Sequence, residues 1–404
     1  MKILFLTNLI PLPLDNGGKI KTFNTIRMLS EKYKIDLFCY YEDDKELEFK
    51  KDLLQYCDSV TMFKKPIVTS KNYKYMIKLA LKNIFNKNPL TMIKFYDENL
   101  YIKLNNKLEN NKYSYIYYDH LQLAIFDRKI KGNVPRILDQ HNCESFIIKG
   151  YFKSEKNIIK KLFFLLEYIK VKKFEKDIIS SVDKLILLSN EDKKSMEKFV
   201  NINNENTLIL PIVVKDSNYI KEIKEIDYEE PIKILFLGTM SWFPNLEGVK
   251  WFINEVVPEL NKKVKCEIYI GGKGISEELV NQANKYNNIN ILGYIENLDD
   301  IYKKCDCMVV PIFTGSGLRV KIIEAFSKGF PVISTTLGAE GLEVIDHKNV
   351  IIADGKYEMI KSIDELKKSY VLRKKISDNC HELYKEKYSF NGVKNKLIDF
   401  LDKE

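Results

Sequence analysis

The residues with the clearest chemical potential lie between Thr314 and Glu324, in the run Thr-Gly-Ser-Gly-Leu-Arg-Val-Lys-Ile-Ile-Glu. Gly315 and Gly317 let the backbone turn tightly and approach a ligand closely. Ser316 and Leu318 complete the loop. A helix beginning just beyond would aim its free N–H groups back into it, which favours an anion. Arg319 and Lys321 add two cations at that end. Glu324, about one turn on, offers a carboxylate that can accept from the vicinal hydroxyls of a ribose. Together these groups suit a nucleotide diphosphate. The competing reading is an ordinary glycine loop with a charged amphipathic helix.

The elements that must hold this loop are legible on both sides. Residues 307–313 are an apolar run of strand length, and 331–334 read as the next strand. Val320, Ile323, Ala325 and Phe326 suit one side of a short helix between them. This is one βαβ unit of a parallel sheet. The same order opens the chain. Residues 3–6 read as a buried strand, a loop ends in Gly17-Gly18, and residues 19–31 read as a helix. It restarts at 233–237, followed by Gly238-Thr239 and a helix expected to run to Leu260. Other strands are expected at 35–40, 113–118, 136–138, 185–189, 207–210, 266–270 and 289–293. Helices are expected at 42–56, 71–86, 154–177 and 298–304. Strand C-termini line the ligand crevice of an open α/β sheet. Asp119-His120 and the run Asp139 to Glu144, with His141 and Asn142, therefore fall where chemistry is expected, the alternative being that both histidines are structural.

A chain of 404 residues with 45% apolar residues suggests two domains rather than one core. The charged, poorly periodic segment 215–230 reads as the linker between them. Seven scattered cysteines read as reduced thiols of a cytoplasmic protein. Four histidines without ligand spacing argue against a structural metal. The first residues read as a strand rather than a signal peptide, and nothing reaches membrane-spanning length. Net charge is +9, concentrated in 64–88 and 149–176. There lysines interleave with aliphatic side chains, a pattern that reads either as core helices with a solvated lysine face or as attachment to an anionic membrane surface, and that suits such a surface better than nucleic acid.

An ordered set of motifs resembles the GT-B glycosyltransferases, specifically glycosyltransferase family 4. The pieces are Pro11-x-Pro-x-x-x-Gly-Gly18, Asp139-x-His-Asn-x-Glu144, Ser189-x-x-Asp192, Phe236-x-Gly-x-Met-x-Trp242 with Asn245, Gly315 to Gly329, and Gly338-Ala-Glu-Gly341. The resemblance implies an α/β protein of GT-B type: two doubly wound Rossmann-like domains facing a central cleft. Residues 1–214 would take the acceptor, 231–385 the donor, and 386–404 would cross back to the first domain. It implies a retaining transfer from a nucleotide diphosphate sugar, UDP- or GDP-linked, without a metal. The acceptor would be a glycan or a lipid-linked glycan. His120, Arg319 and Lys321 would be the catalytic groups. Gly17, Gly18, Gly238, Thr239, Gly315, Ser316, Gly317, Leu318 and Glu324 would hold the donor. Asp119, His141, Asn142 and Glu144 would lie on the acceptor side. Two departures stand out. Ser316 occupies the place of the family's first glutamate, and no Arg/Lys pair follows the strand at 233–237. Rival readings are a sugar-nucleotide epimerase of the same build and a degenerate, non-catalytic surface-binding protein.

Overall fold

Short apolar runs bounded by Gly, Asn and Asp become parallel strands buried on both faces. The structure is a computed structural model and describes residues 1–65, 83, 86–130, 132–214, 220–315 and 317–403. The chain divides into two units: Met1–Ile212 with Lys394–Glu404, and Val213–Val393.

The first unit carries β1 (Lys2–Thr7), β2 (Lys34–Tyr41), β3 (Ser59–Lys64), β4 (Tyr115–Asp119), β5 (Arg136–Gln140), β6 (Lys184–Leu187) and β7 (Thr207–Ile209). Their order is β3-β2-β1-β4-β5-β6-β7, all parallel. The chain fills one side of β1, then crosses to the other at β4. At that switch point Thr7 stands in register with Asp119, and Asp119 with Asp139. The second unit repeats the plan with β8 (Ile232–Leu237), β9 (Cys266–Gly271), β10 (Ile289–Gly293), β11 (Cys307–Val310), β12 (Val332–Ser334) and β13 (Ile351–Ile352). The order is β10-β9-β8-β11-β12-β13, and the switch point lies between β8 and β11.

Period-two alternation gives the second sheet two cores. Ile234 and Phe236 pack on one face with Val249, Phe252 and Val256. Leu235 and Val310 pack on the other with Ile322, Ile323, Phe326 and Tyr384. Fully burying each such aliphatic side chain is worth about 1.5–3 kcal/mol. This anchors the helix Val320–Ser327 under its loop. The C-terminal helix Phe390–Asp402 serves the first unit. Lys184 Nζ donates to Phe400 O at 3.0 Å, Tyr115 Oη donates to Leu401 O at 2.6 Å, and Lys32 pairs with Asp402.

Several expectations need correction. The chain makes two helices here: Glu144–Ser154, which was not expected, and Ile158–Ile179, which is the helix expected at 154–177 with its start four residues later. Asn157 starts the second by accepting from the N–H groups of Ile159 and Lys160, both at 3.1 Å, an N-cap that the apolar count hides. The helix expected at 42–56 is a 3₁₀ turn, Asp44–Phe49, and a single α turn, Lys50–Leu53. The helix expected to run to Leu260 passes through a π turn at Phe252–Val256 before Val257–Leu260. Pro258 lacks an N–H, and a π turn is one way to absorb the missing bond. Ser189 is an N-cap: its Oγ accepts from Asp192 N at 3.1 Å. Residues 220–230 carry no helix or strand. They lie along the second unit, where Lys221 N donates to Lys328 O at 2.7 Å and Arg373 donates to Lys224 O at 2.8 Å. The expected helix at 71–86 falls almost entirely outside the described residues, as does most of 64–88. No helix among the described residues is long and apolar enough to cross a membrane.

Gly248 lets the helix Phe243–Trp251 lie against the chain leaving β11. A Cβ there would stand 2.0 Å from Pro311 O. We expect Gly248→Ala to destabilise the second unit by about 1–3 kcal/mol, the usual cost of overpacking. Urea unfolding would measure it; an unchanged midpoint would mean that the helix backs away freely.

Candidate functional site

At the switch point of the second sheet, loop and helix meet the end of β8. Gly315 and Gly317 adopt φ of 87° and 97°, a region that L side chains rarely enter. A Cβ on Gly315 would also come within 3.0 Å of Pro244. Arg319, 4% exposed, folds back on this loop. It donates to Gly317 O at 2.8 Å and Gly315 O at 3.4 Å. Its guanidinium lies 5.1 Å from the Trp242 ring centroid, a cation–π contact. Thr314 Oγ1 donates to Glu247 Oε2 at 2.7 Å, and Leu318 packs on the neighbouring apolar cluster.

Lys321 reaches across to β8. Its Nζ donates to Leu237 O at 2.6 Å and to Asn245 Oδ1 at 2.7 Å. Asn245 in turn donates from Nδ2 to Thr239 O at 3.0 Å. One amide thus accepts from the lysine and donates to the loop, which fixes its orientation. Gly238 closes the corner, donating to Gly271 O at 3.0 Å. The segment Gly238 to Asn245 has no cation of its own, and Lys321 brings one there. Burial first, and the Arg319 charge second, push the Lys321 ammonium down to about 7. Burial also lowers Arg319. Glu324 sits one turn along the helix. Burial raises its carboxyl, with Lys328 opposing and Asp299 adding. Ser316 lies outside the described residues.

The first unit has its own charged switch point. Asp119, fully buried, accepts from Thr7 Oγ1 at 2.7 Å and Thr22 Oγ1 at 2.8 Å. His120 Nδ1 lies 3.1 Å from its Oδ2, and His141 Nε2 lies 2.8 Å from its Oδ1. The two imidazoles lie against each other with centroids 3.7 Å apart and planes tilted by 32°. His120 holds φ 82°, an uncommon conformation of the kind that gathers at functional sites. Asp119 and His141 are buried and act on His120. These three residues present ligand atoms within 4.8 Å of one another, a spacing that could also hold a cation. In the network described, however, two hydroxyls and two imidazoles occupy the carboxylate. Beneath them Lys21, 1% exposed, pairs with Asp139 at 2.8 Å, and Tyr117 Oη donates to the same carboxylate at 2.6 Å.

Gly17 and Gly18 begin the helix Gly17–Ser30, capped by Asn16, which accepts from Lys19 N at 3.0 Å. Asn142 contributes its carbonyl to Gln140 Nε2 at 2.9 Å. Glu144 opens its helix, and its N–H donates to Glu175 at 2.9 Å. Burial raises the Glu144 carboxyl and lifts that of Glu175 to about 7. Sequence reasoning passed over Lys21, Thr7, Thr22, Trp242 and Asn245 as site residues. Trp242 and Asn245 stood in the quoted motif set without a role, and Lys21 left a signal as a cation beside Ile20 and Phe23 on a helix face that turns inward.

Residues 231–368 match the family described as Glycosyl transferases group 1. An uncharacterized 44.6 kDa protein in the cps region of Klebsiella pneumoniae is 25% identical over 412 residues, 98% of this chain and 99% of its own. Sucrose-phosphate synthase of Thermosynechococcus elongatus superposes with a TM-score of 0.69 at 14% identity, over 99% of this chain and 98% of its own. HepE of Anabaena, in complex with UDP and glucose, gives 0.63 at 14% identity over the whole of both chains. A TarM variant of S. aureus, in complex with Fondaparinux, alpha-GlcNAc-glycerol and UDP, gives 0.66 at 13% identity over the whole of both. The fold is GT-B.

The two imidazoles should titrate apart. Burial alone would lower His120, but the Asp119 charge and hydrogen bonds outweigh it and hold the ring above 6.5. For His141, burial and the neighbouring His120 charge outweigh Asp119 and hold it below 6.5. His120 therefore gives stability that is full below 6.5 and fades as pH rises through its raised value. His141 removes stability as pH falls below 6.5. In Asp119→Asn we expect the His120 resonance to titrate below 6.5 by NMR. If His120 kept its raised value, Asp119 would not be its counterion.

Proposed function

We propose that this protein is a retaining glycosyltransferase of glycosyltransferase family 4. It moves a sugar from a UDP- or GDP-linked donor to a glycan or lipid-linked acceptor in cell-surface polysaccharide synthesis. The observation that carries this reading is Lys321, buried beside Arg319 and tied to the end of β8. A lysine pushed towards neutrality by burial, and further by a second cation, is a site that an anion would relieve. Departure of a nucleotide diphosphate builds negative charge on its β-phosphate. Preorganised cations, the N–H groups of a left-handed loop and a helix N-terminus stabilise that charge by several kcal/mol. Arg319 and Lys321 supply what Mg²⁺ supplies elsewhere.

The sugar leaves and the acceptor arrives on the same face, and the departing phosphate oxygen takes the acceptor proton. Glu324 accepts from the ribose hydroxyls. Gly238, Thr239, Gly315, Gly317 and Leu318 line the diphosphate. His120 offers Nε2 to a sugar hydroxyl, held in place by Asp119 and His141. Asn142 and Glu144 stand on the acceptor side. The UDP bound to HepE favours a uridine donor, and the cps-region relative favours a surface polysaccharide. Seven free, buried cysteines suit a reducing, cytoplasmic setting.

A thermal-shift panel of UDP, GDP, ADP and dTDP tests the reading. A ligand at 100 times its Kd stabilises by about 2.7 kcal/mol. We expect one base to shift the second unit, and Lys321→Ala to abolish the shift and cut kcat/KM by about 10²–10³. Because Lys321 sits near 7 when free, binding should recharge it. Affinity should fall as pH rises above about 7, with proton uptake visible by calorimetry in buffers of different ionisation heat. No shift with any nucleotide would sink the proposal. Interconversion of sugar nucleotides without acceptor would move it to an epimerase.

A further inference from the structure

The helix Ile158–Ile179 is apolar on two opposite sides. Val171, Phe174, Ile178 and Ile179 face the core. Ile158, Leu162, Leu166 and Ile169 recur at i, i+4, i+8 and i+11 on the other side. They are 81, 58, 40 and 54% exposed, and Ile159 beside them is 78% exposed. A helix serving only a soluble core has its polar residues there.

The charge around this stripe is one-sided. Residues 149–176 contain nine lysines and three glutamates. Two of those glutamates turn inward. Glu167, 3% exposed, accepts from Leu90 N at 3.1 Å and Thr91 N at 2.8 Å. Glu175, fully buried, accepts from Glu144 N at 2.9 Å and Ser145 N at 3.3 Å. Lys153 and Lys156 stay exposed just before the first turn. Lys173 and Lys176, also exposed, continue the outward side beyond Ile169. The outward face is therefore aliphatic and almost wholly positive.

We infer that this face docks on an anionic lipid bilayer, its aliphatic side chains at the acyl boundary and its lysines among the lipid phosphates. The helix lies on such a surface rather than spanning it, because its inward side is committed to the core. A second copy of the chain is a poorer occupant, since a two-fold contact would set these lysines against themselves. The inference goes beyond the proposed reaction and does not depend on it, because lipid binding is read without nucleotide or sugar.

The test is co-sedimentation of the full chain with vesicles of phosphatidylcholine alone or mixed with phosphatidylglycerol. We expect binding to the anionic vesicles only, weakened by salt. Lys173→Ala with Lys176→Ala should weaken partition about tenfold or more. Ile158→Glu with Leu162→Glu, both solvent-exposed, should abolish it at an unchanged melting temperature. The inference fails if neither vesicle retains the protein, or if the Ile158→Glu, Leu162→Glu variant sediments as well as the parent. It also fails if that variant splits a dimer in the absence of lipid, which would assign the face to a second copy.

Discussion

The hydrogen bonds of Lys321 hold the second switch point together. Its ammonium ties the carbonyl that ends β8 to the Asn245 amide, and that amide ties down Thr239. A strand end, the loop after it and the helix Val320–Ser327 are thereby fixed to one another. The cost is a buried cation that burial and Arg319 disfavour. A charge held against its own desolvation is common where a protein must meet an opposite charge. The surrounding fold can bear it because Ile322, Ile323 and Phe326 are fully buried on the other side of that helix.

The first unit solves a similar problem with the opposite sign. Its switch point buries a carboxylate, Asp119, and surrounds it with donors. Burial would raise the carboxyl, but His120 and His141 outweigh that and hold it well below the usual range. In both sheets the charged group stands where the strand order reverses. There the neighbouring loops diverge and leave polar backbone to be satisfied. The doubly wound plan thus prepares two places for chemistry before any specific side chain is chosen.

Much of this was legible in the sequence, for reasons of local physics. Strands such as β1 and β8 are continuous apolar runs because both faces are buried, so they announce themselves. Asp119, His120, Arg319 and Lys321 fall at strand ends or helix starts, and those positions are read from the same runs. The helix start at Asn157 was placed a few residues early because an N-cap is a single residue that an apolar count passes over. The π turn before Pro258 was missed because periodicity registers that a helix continues and not how its hydrogen bonds are paired. Lys21, Thr7 and Thr22 escaped because their partners, Asp139 and Asp119, are distant in the chain. β13, with Ile351 and Ile352 alone, is too short to carry any pattern.

The course of the backbone has a consequence for synthesis. The chain leaves the first unit after Ile212 and returns to it at Lys394. The helix Phe390–Asp402 then supplies Leu401 and Phe400 carbonyls to Tyr115 and Lys184. On a ribosome, the second unit therefore emerges with all of its own residues in hand. The first, although begun earlier, must wait for the last helix to be made. The usual order, in which the N-terminal part folds first, is inverted for completion. For as long as translation of the second unit takes, Lys184 and Tyr115 stand without their partners.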